Sequence, residues 1–287
     1  MPAIPNSMLQ SVVYLYRDSD DALEGKNAGG SGFLVSLPSK THAGKEHVYV
    51  ISNWHVAIKG GFSAVRVNTD DGSTRLIESD PSEWEFVVKG GDLAVLPTSL
   101  NTRIDRCSAI EARQIAAASM QDFYRTGEDV FMLGRFIDED GGQRNQPAAR
   151  FGNISVLPIA LNNPPSNSDA DTKYYLLDMH SKSGFSGSPV FAYRTMGSVI
   201  GQKMEALRDV WGNVTLPLHA PMVGLIGIHC GHYNDSIHVQ GPFGDAVATG
   251  PSGMTYALPA TSIVALLDCP KLTQRRQELD EQWRPRR

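Results

Sequence analysis

An all-β fold is predicted for this 287-residue chain by three features of the sequence. Short runs rich in β-branched and aromatic residues recur throughout, Gly, Asn, Asp and Pro clusters separate them, and helical periodicity is confined to two places. The runs are SVVYLYR, SGFLVSL, HVYVISN, AVRVNT, TRLIES, WEFVVK and DLAVLP, then, after a pause, DVFMLGRF, ISVLPIA, KYYLLDM, SPVFAYR, LIGIHC and MTYALPA. The pause around residues 101–125 divides the strands into two β-halves, 1–115 and 116–260. One short helix is expected near Ile110 to Met120. A terminal helical stretch occupies 261–287; it begins near Thr261 or Ser262, either of which can cap it, and kinks at Pro270. Asn162 to Thr172 reads as an exposed loop, and Tyr193 to Ala220 (193–220) as an insertion between two strands.

Composition limits the function. A net charge of −5 and a pI near 5.9 give no electrostatic reason to expect nucleic acid or an anionic membrane as partner. No run of about 18 apolar residues and no charged start followed by an apolar stretch occurs, so a membrane span and an export signal are both unsupported. Cys107, Cys230 and Cys269 are widely spaced and odd in number, which favours a reducing compartment; a cytoplasmic location is expected. The glycine-rich stretch Gly25 to Phe33 lacks the Gly-Lys-Ser/Thr ending of a phosphate loop. The spacing of His229, Cys230, His232, Asp235 and His238 fits no common zinc pattern. No cofactor and no metal are expected.

One serine raises a catalytic question. In SKSGFSGSPVF, Ser181 to Phe191, Ser186 sits among small residues directly before a strand. A serine hydroxyl needs a base to remove its proton, a carboxylate to orient that base, and backbone N–H groups to hold the oxyanion. His55 follows the strand-like VYVISNW, and Asp92 precedes the apolar strand in GGDLAVLP. The chain order is therefore His, Asp, Ser.

GSGFLVS, VISNWHVA, GDLAVLP, RFGNIS, GFSGSPVF and GLIGIH, in that order, resemble the trypsin/chymotrypsin-like serine peptidases over roughly residues 10–268. The likeness is greatest to the bacterial HtrA-type and glutamyl endopeptidase branches. The resemblance implies two six-stranded antiparallel β-barrels, the first carrying His55 and Asp92, the second Ser186. It makes His55 the general base, Asp92 its orienting carboxylate and Ser186 the nucleophile of an endopeptidase. It assigns the oxyanion hole to the backbone N–H groups of Gly184 and Ser186. It also places His229, with Ser181 and His180 opposite, in the pocket for the residue before the cleaved bond. Glutamyl endopeptidases and viral 3C-type proteases carry a similar Gly-x-His, so cleavage after Glu, with Asp or Gln weaker, is expected. Phe185 stands where digestive relatives hold the acid that pairs with a newly cut N-terminus, so control by a regulatory protein partner, by the insertion Tyr193 to Ala220 or by substrate access is expected instead. The partner in catalysis is a protein or peptide. The alternative is a catalytically silent module that holds peptides in the same cleft.

Overall fold

The computed structural model describes residues 3–116, 124–137, 139, 141–193, 223–241 and 244–284. The insertion expected at Tyr193–Ala220 lies outside the described residues apart from Tyr193, as does the end of the helix expected up to Met120. Strands dominate. β1 (Val12–Tyr16), β2 (Gly30–Pro38), β3 (Glu46–Ser52), β4 (Ala64–Asn68), β5 (Thr74–Ile77) and β6 (Ala94–Thr98) form an antiparallel sheet in the order β5-β4-β1-β2-β3-β6. β7 (Ile110–Glu111) adds to β2 in parallel. β8 (Asp129–Gly134), β9 (Ala148–Ala160), β10 (Lys173–Asp178), β11 (Pro189–Tyr193), β12 (Val223–Gly241) and β13 (Gly244–Pro259) close into a six-stranded barrel.

Alternation along the strands explains how the halves join. In β1, Val13 and Leu15 point into the core of the first sheet, while Val12, Tyr14 and Tyr16 point into a second cluster that also holds Phe131, Leu133, Phe191, Leu225 and Leu258 of the barrel. β8 and β11 behave likewise: Val130, Met132, Val190 and Ala192 fill the barrel, and Phe131, Leu133, Phe191 and Tyr193 face the first sheet. Strands buried on both faces read as continuous apolar runs, which is why VVYLY and PVFAY lack a polar face.

Three expectations are corrected. The first sheet is not a closed barrel: β5 and β6 are not joined, because WEFVVK, expected as a strand, contributes only the Glu85–Val95 bridge. Trp84 is buried there, whereas Val87 and Val88 are exposed and Lys89 has a positive φ of 58°, which ends any extended run. The helix expected from Ile110 starts two residues late, as α3 (Ala112–Ala116), after β7; it follows α1 (Asn6–Gln10) and α2 (Ser19–Glu24), which the strand pattern did not suggest. Toward the end of the chain α4 (Ala260–Leu267) takes Pro259 as its N-cap, so Thr261 and Ser262, expected to cap it, lie inside the helix. The break falls at Asp268–Cys269, and Pro270 opens α5 (Pro270–Gln282), where a missing N–H costs nothing.

Candidate active site

β3 ends at Ser52, and the chain turns through Asn53 and Trp54 into one wide helical turn, His55–Lys59, closed by the Gly60 N–H on the His55 carbonyl at 3.0 Å. His55 is thus the first residue of that turn and not the end of the strand. Asp92 is fully buried and meets His55 twice. Its Oδ1 accepts the His55 backbone N–H at 2.9 Å, and its Oδ2 lies 2.6 Å from Nδ1. Because a carboxylate only accepts, Nδ1 carries the proton and Nε2 is left bare when the ring is neutral.

The Asp92 loop is itself held. The Asn53 amide donates to the Asp92 carbonyl at 2.8 Å. Asn167, from the stretch expected to be a free loop, accepts the Gly91 N–H on its own carbonyl and donates from its side chain to the carbonyls of Val87 and Gly91. Behind the carboxylate the groups are neutral. Burial pushes the Cys230 thiol well up, with the Asp92 charge adding to it, and pushes Tyr256 up to about 12. Among the described residues His55 is the one basic side chain paired with this carboxylate, so its field acts on that ring.

Ser186 lies in two consecutive hydrogen-bonded turns. The Phe185 N–H reaches the Lys182 carbonyl at 3.4 Å, and the Ser188 N–H reaches the Phe185 carbonyl at 3.0 Å. Each turn has a glycine third, Gly184 at φ 98° and Gly187 at φ 87°, the angle a type II turn demands. The Gly184 N–H and the Ser186 N–H have no acceptor among the described residues. Gly184 is buried and Ser186 half-buried, so two free donors stand at the loop that carries the serine hydroxyl. The loop packs against β2: Ser186 presents its carbonyl to the Ser31 N–H at 2.8 Å. A Cβ added to Gly30 would lie 3.0 Å from both that Ser186 carbonyl and the Val56 methyls, which puts the serine loop beside the His55 turn.

Gly187 has no room for a side chain. A Cβ there would lie 2.0 Å from the Ser31 carbonyl and 2.7 Å from the Ser52 hydroxyl. Replacing Gly187 with Ala is expected to destabilise the protein by about 3 kcal/mol or more, combining left-handed strain with a backbone clash. Urea unfolding reads it, and an unchanged midpoint would contradict this packing.

The expected pocket residues differ in burial. His229 is fully buried on β12, with Nδ1 3.1 Å from the Phe185 carbonyl and Nε2 without a partner. A carbonyl only accepts, so Nδ1 donates. Burial, aided by the neighbouring His232 and His55, lowers the ring to about 3, although the bond to Phe185 opposes that shift. Ser181 is buried, while His180 is exposed with its ring against Gly253, where an added Cβ would stand 3.3 Å from Cε1. Phe185 is fully buried in the barrel core. Among the described residues no three His, Cys, Asp or Glu side chains come together as a metal site would require.

Asn53, Asn167 and Ser31 were not singled out by the sequence. Ser31 and Asn53 had a visible signal, their places in the motifs GSGFLVS and VISNWHVA; Asn167 had none.

No curated protein sequence matches the chain. Among solved structures it is similar to the MamO protease domain from Magnetospirillum magneticum in its apo form, at 17% identity and a TM-score of 0.52, covering 92% of this chain and 98% of that one. It is also similar to the HtrA-type protease AlgW with a decapeptide (16%, TM-score 0.47, 94% and 65%). A third similar structure is the Rv3671c protease of M. tuberculosis H37Rv in an inactive form (14%, TM-score 0.43, 91% and 89%). The trypsin-like peptidase domain matches residues 30–201, more than half of the chain, and the protein belongs to that family.

Proposed function

We propose that the protein is a serine endopeptidase that cleaves peptide bonds through an acyl-enzyme on Ser186. The double hydrogen bond from His55 to the buried Asp92 carries this reading, since it fixes the tautomer with a bare Nε2. In the proposed reaction Nε2 takes the Ser186 proton as Oγ attacks the carbonyl carbon. The Gly184 and Ser186 N–H groups hold the oxyanion, and the imidazolium, stabilised by Asp92, returns the proton to the leaving amine. Water then repeats the sequence to release the acid. Labelling of the wild type by a fluorophosphonate probe at Ser186 tests it; absence of both labelling and hydrolysis leaves the silent peptide-binding module. The substrate is a protein or peptide, and the absence of disulfides, with Cys107 and Cys230 buried as free thiols, supports a reducing, cytoplasmic setting.

The proposed preference is for Glu before the cleaved bond, with Asp or Gln weaker, read by His229. Its neutral tautomer offers Nε2 as an acceptor. A Gln amide meets that atom directly, whereas a Glu carboxylate needs a proton added to the ring. Because burial holds the free ring near 3, that proton is taken up only as Glu binds, so the ratio of cleavage after Glu to cleavage after Gln is expected to fall as pH rises from about 5 to about 8. Taking the ratio cancels any pH dependence that the two cleavages share. Profiling on a mixed peptide library at both pH values checks it, and predominant cleavage after Lys, Arg or large apolar residues overturns this reading of the pocket.

A further inference from the structure

Ser31 occupies a position no motif assignment explains. It is fully buried in β2, one residue into the strand, and it touches both halves of the molecule. Its hydroxyl donates to the Gly184 carbonyl at 2.8 Å and accepts the Arg135 backbone N–H, from the end of β8, at 2.8 Å. Its own N–H donates to the Ser186 carbonyl at 2.8 Å, and its carbonyl accepts the Ser52 hydroxyl at 2.8 Å. One residue of the first sheet therefore holds the carbonyls of the two residues, Gly184 and Ser186, whose N–H groups are free. Every polar atom of Ser31 is used.

We infer that Ser31 is a positioning residue for the anion site of the Ser186 loop, acting through Gly184; the inference rests on the serine peptidase reading for its kinetic consequence. The backbone bond to the Ser186 carbonyl is available to any residue at this position, so it fixes one end of the loop regardless of side chain. Among the described residues the Gly184 carbonyl takes its hydrogen bond from that hydroxyl alone. Without that hydroxyl the buried Gly184 carbonyl loses its donor among the described residues, a costly state that favours rotation of the Gly184 backbone toward another donor. Gly184 has no Cβ to resist such a rotation, and the left-handed φ of 98° that its turn requires is easily given up. That change of φ also turns the Gly184 N–H away from the developing oxyanion.

Two measurements on Ser31→Ala test this. In peptide hydrolysis kcat is expected to fall about 10- to 100-fold with KM nearly unchanged, because the lost interaction acts on the transition state, and affinity for a peptide aldehyde is expected to fall in parallel. In a crystal structure of the variant, Gly184 is expected to leave the left-handed region while β2 and the barrel stay in place. A kcat within about threefold of wild type, or an unchanged Gly184–Ser186 backbone, overturns the inference. If the wild type proves inactive, the peptidase reading fails on its own and the backbone of the variant still decides the role of Ser31.

Discussion

Ser186→Ala is expected to abolish peptide hydrolysis, on the order of a 10⁶-fold loss in kcat, while the protein melts as the wild type does. The size follows from chemistry: with the hydroxyl gone no acyl-enzyme forms, and the residual rate is what substrate binding and the two N–H donors give to attack by water. The stability expectation follows from structure. Ser186 is half-buried, its hydroxyl has no hydrogen bond to a described residue, and its carbonyl, which ties the loop to Ser31, survives the substitution. Steady-state turnover of a peptide substrate, with a melting curve for each protein, measures both quantities. Turnover equal to wild type would mean that Ser186 is only a turn residue.

Asp92→Asn is expected to leave a folded protein with kcat reduced on the order of 10⁴-fold. The two side chains are isosteric, and the Asn oxygen can keep accepting the His55 backbone N–H that Oδ1 accepts now at 2.9 Å. Its amide nitrogen must then face His55 Nδ1. A donor at that atom reverses the tautomer, putting the proton on Nε2, where a base toward Ser186 is needed. Stability is expected to change little, since a buried carboxylate is replaced by a neutral amide with one hydrogen bond kept. Retention of more than about a tenth of wild-type kcat would refute the orienting role of Asp92. Counting reactive serines with a fluorophosphonate separates a slow enzyme from a small active fraction.

The chain announces some of this and hides the rest. The strands were legible because residues buried on both faces, such as Val12–Tyr16, leave unbroken β-branched and aromatic runs. WEFVVK misled for the complementary reason: its composition suits a strand, but the positive φ at Lys89 and the hydrogen bonds Asn167 makes to the Val87–Gly91 backbone hold that segment as a loop. The helices α1 and α2 were missed because six residues or fewer give no periodicity to read. His55, Asp92 and Ser186 stood out through their order among short motifs. The residues that support them did not, since Asn53, Asn167 and Ser31 act through backbone groups far away in sequence, and spacing along the chain carries no trace of such contacts.

The shared cluster between the first sheet and the barrel also has a consequence in time. Tyr14, Phe33, Ile51 and Val95 are synthesised early, yet Phe191, Leu225 and Leu258, which cover them, come much later in the chain. At about 5–20 residues per second, the stretch from Val95 to Leu225 takes on the order of ten seconds to emerge from the ribosome. Throughout that interval the nascent first half carries an uncovered aromatic face. The polypeptide is thus exposed to misassociation before Ser186, the proposed nucleophile, has been made and until Leu225 follows it, and the synthesis of the second half supplies both that serine and the surface that shelters the first half.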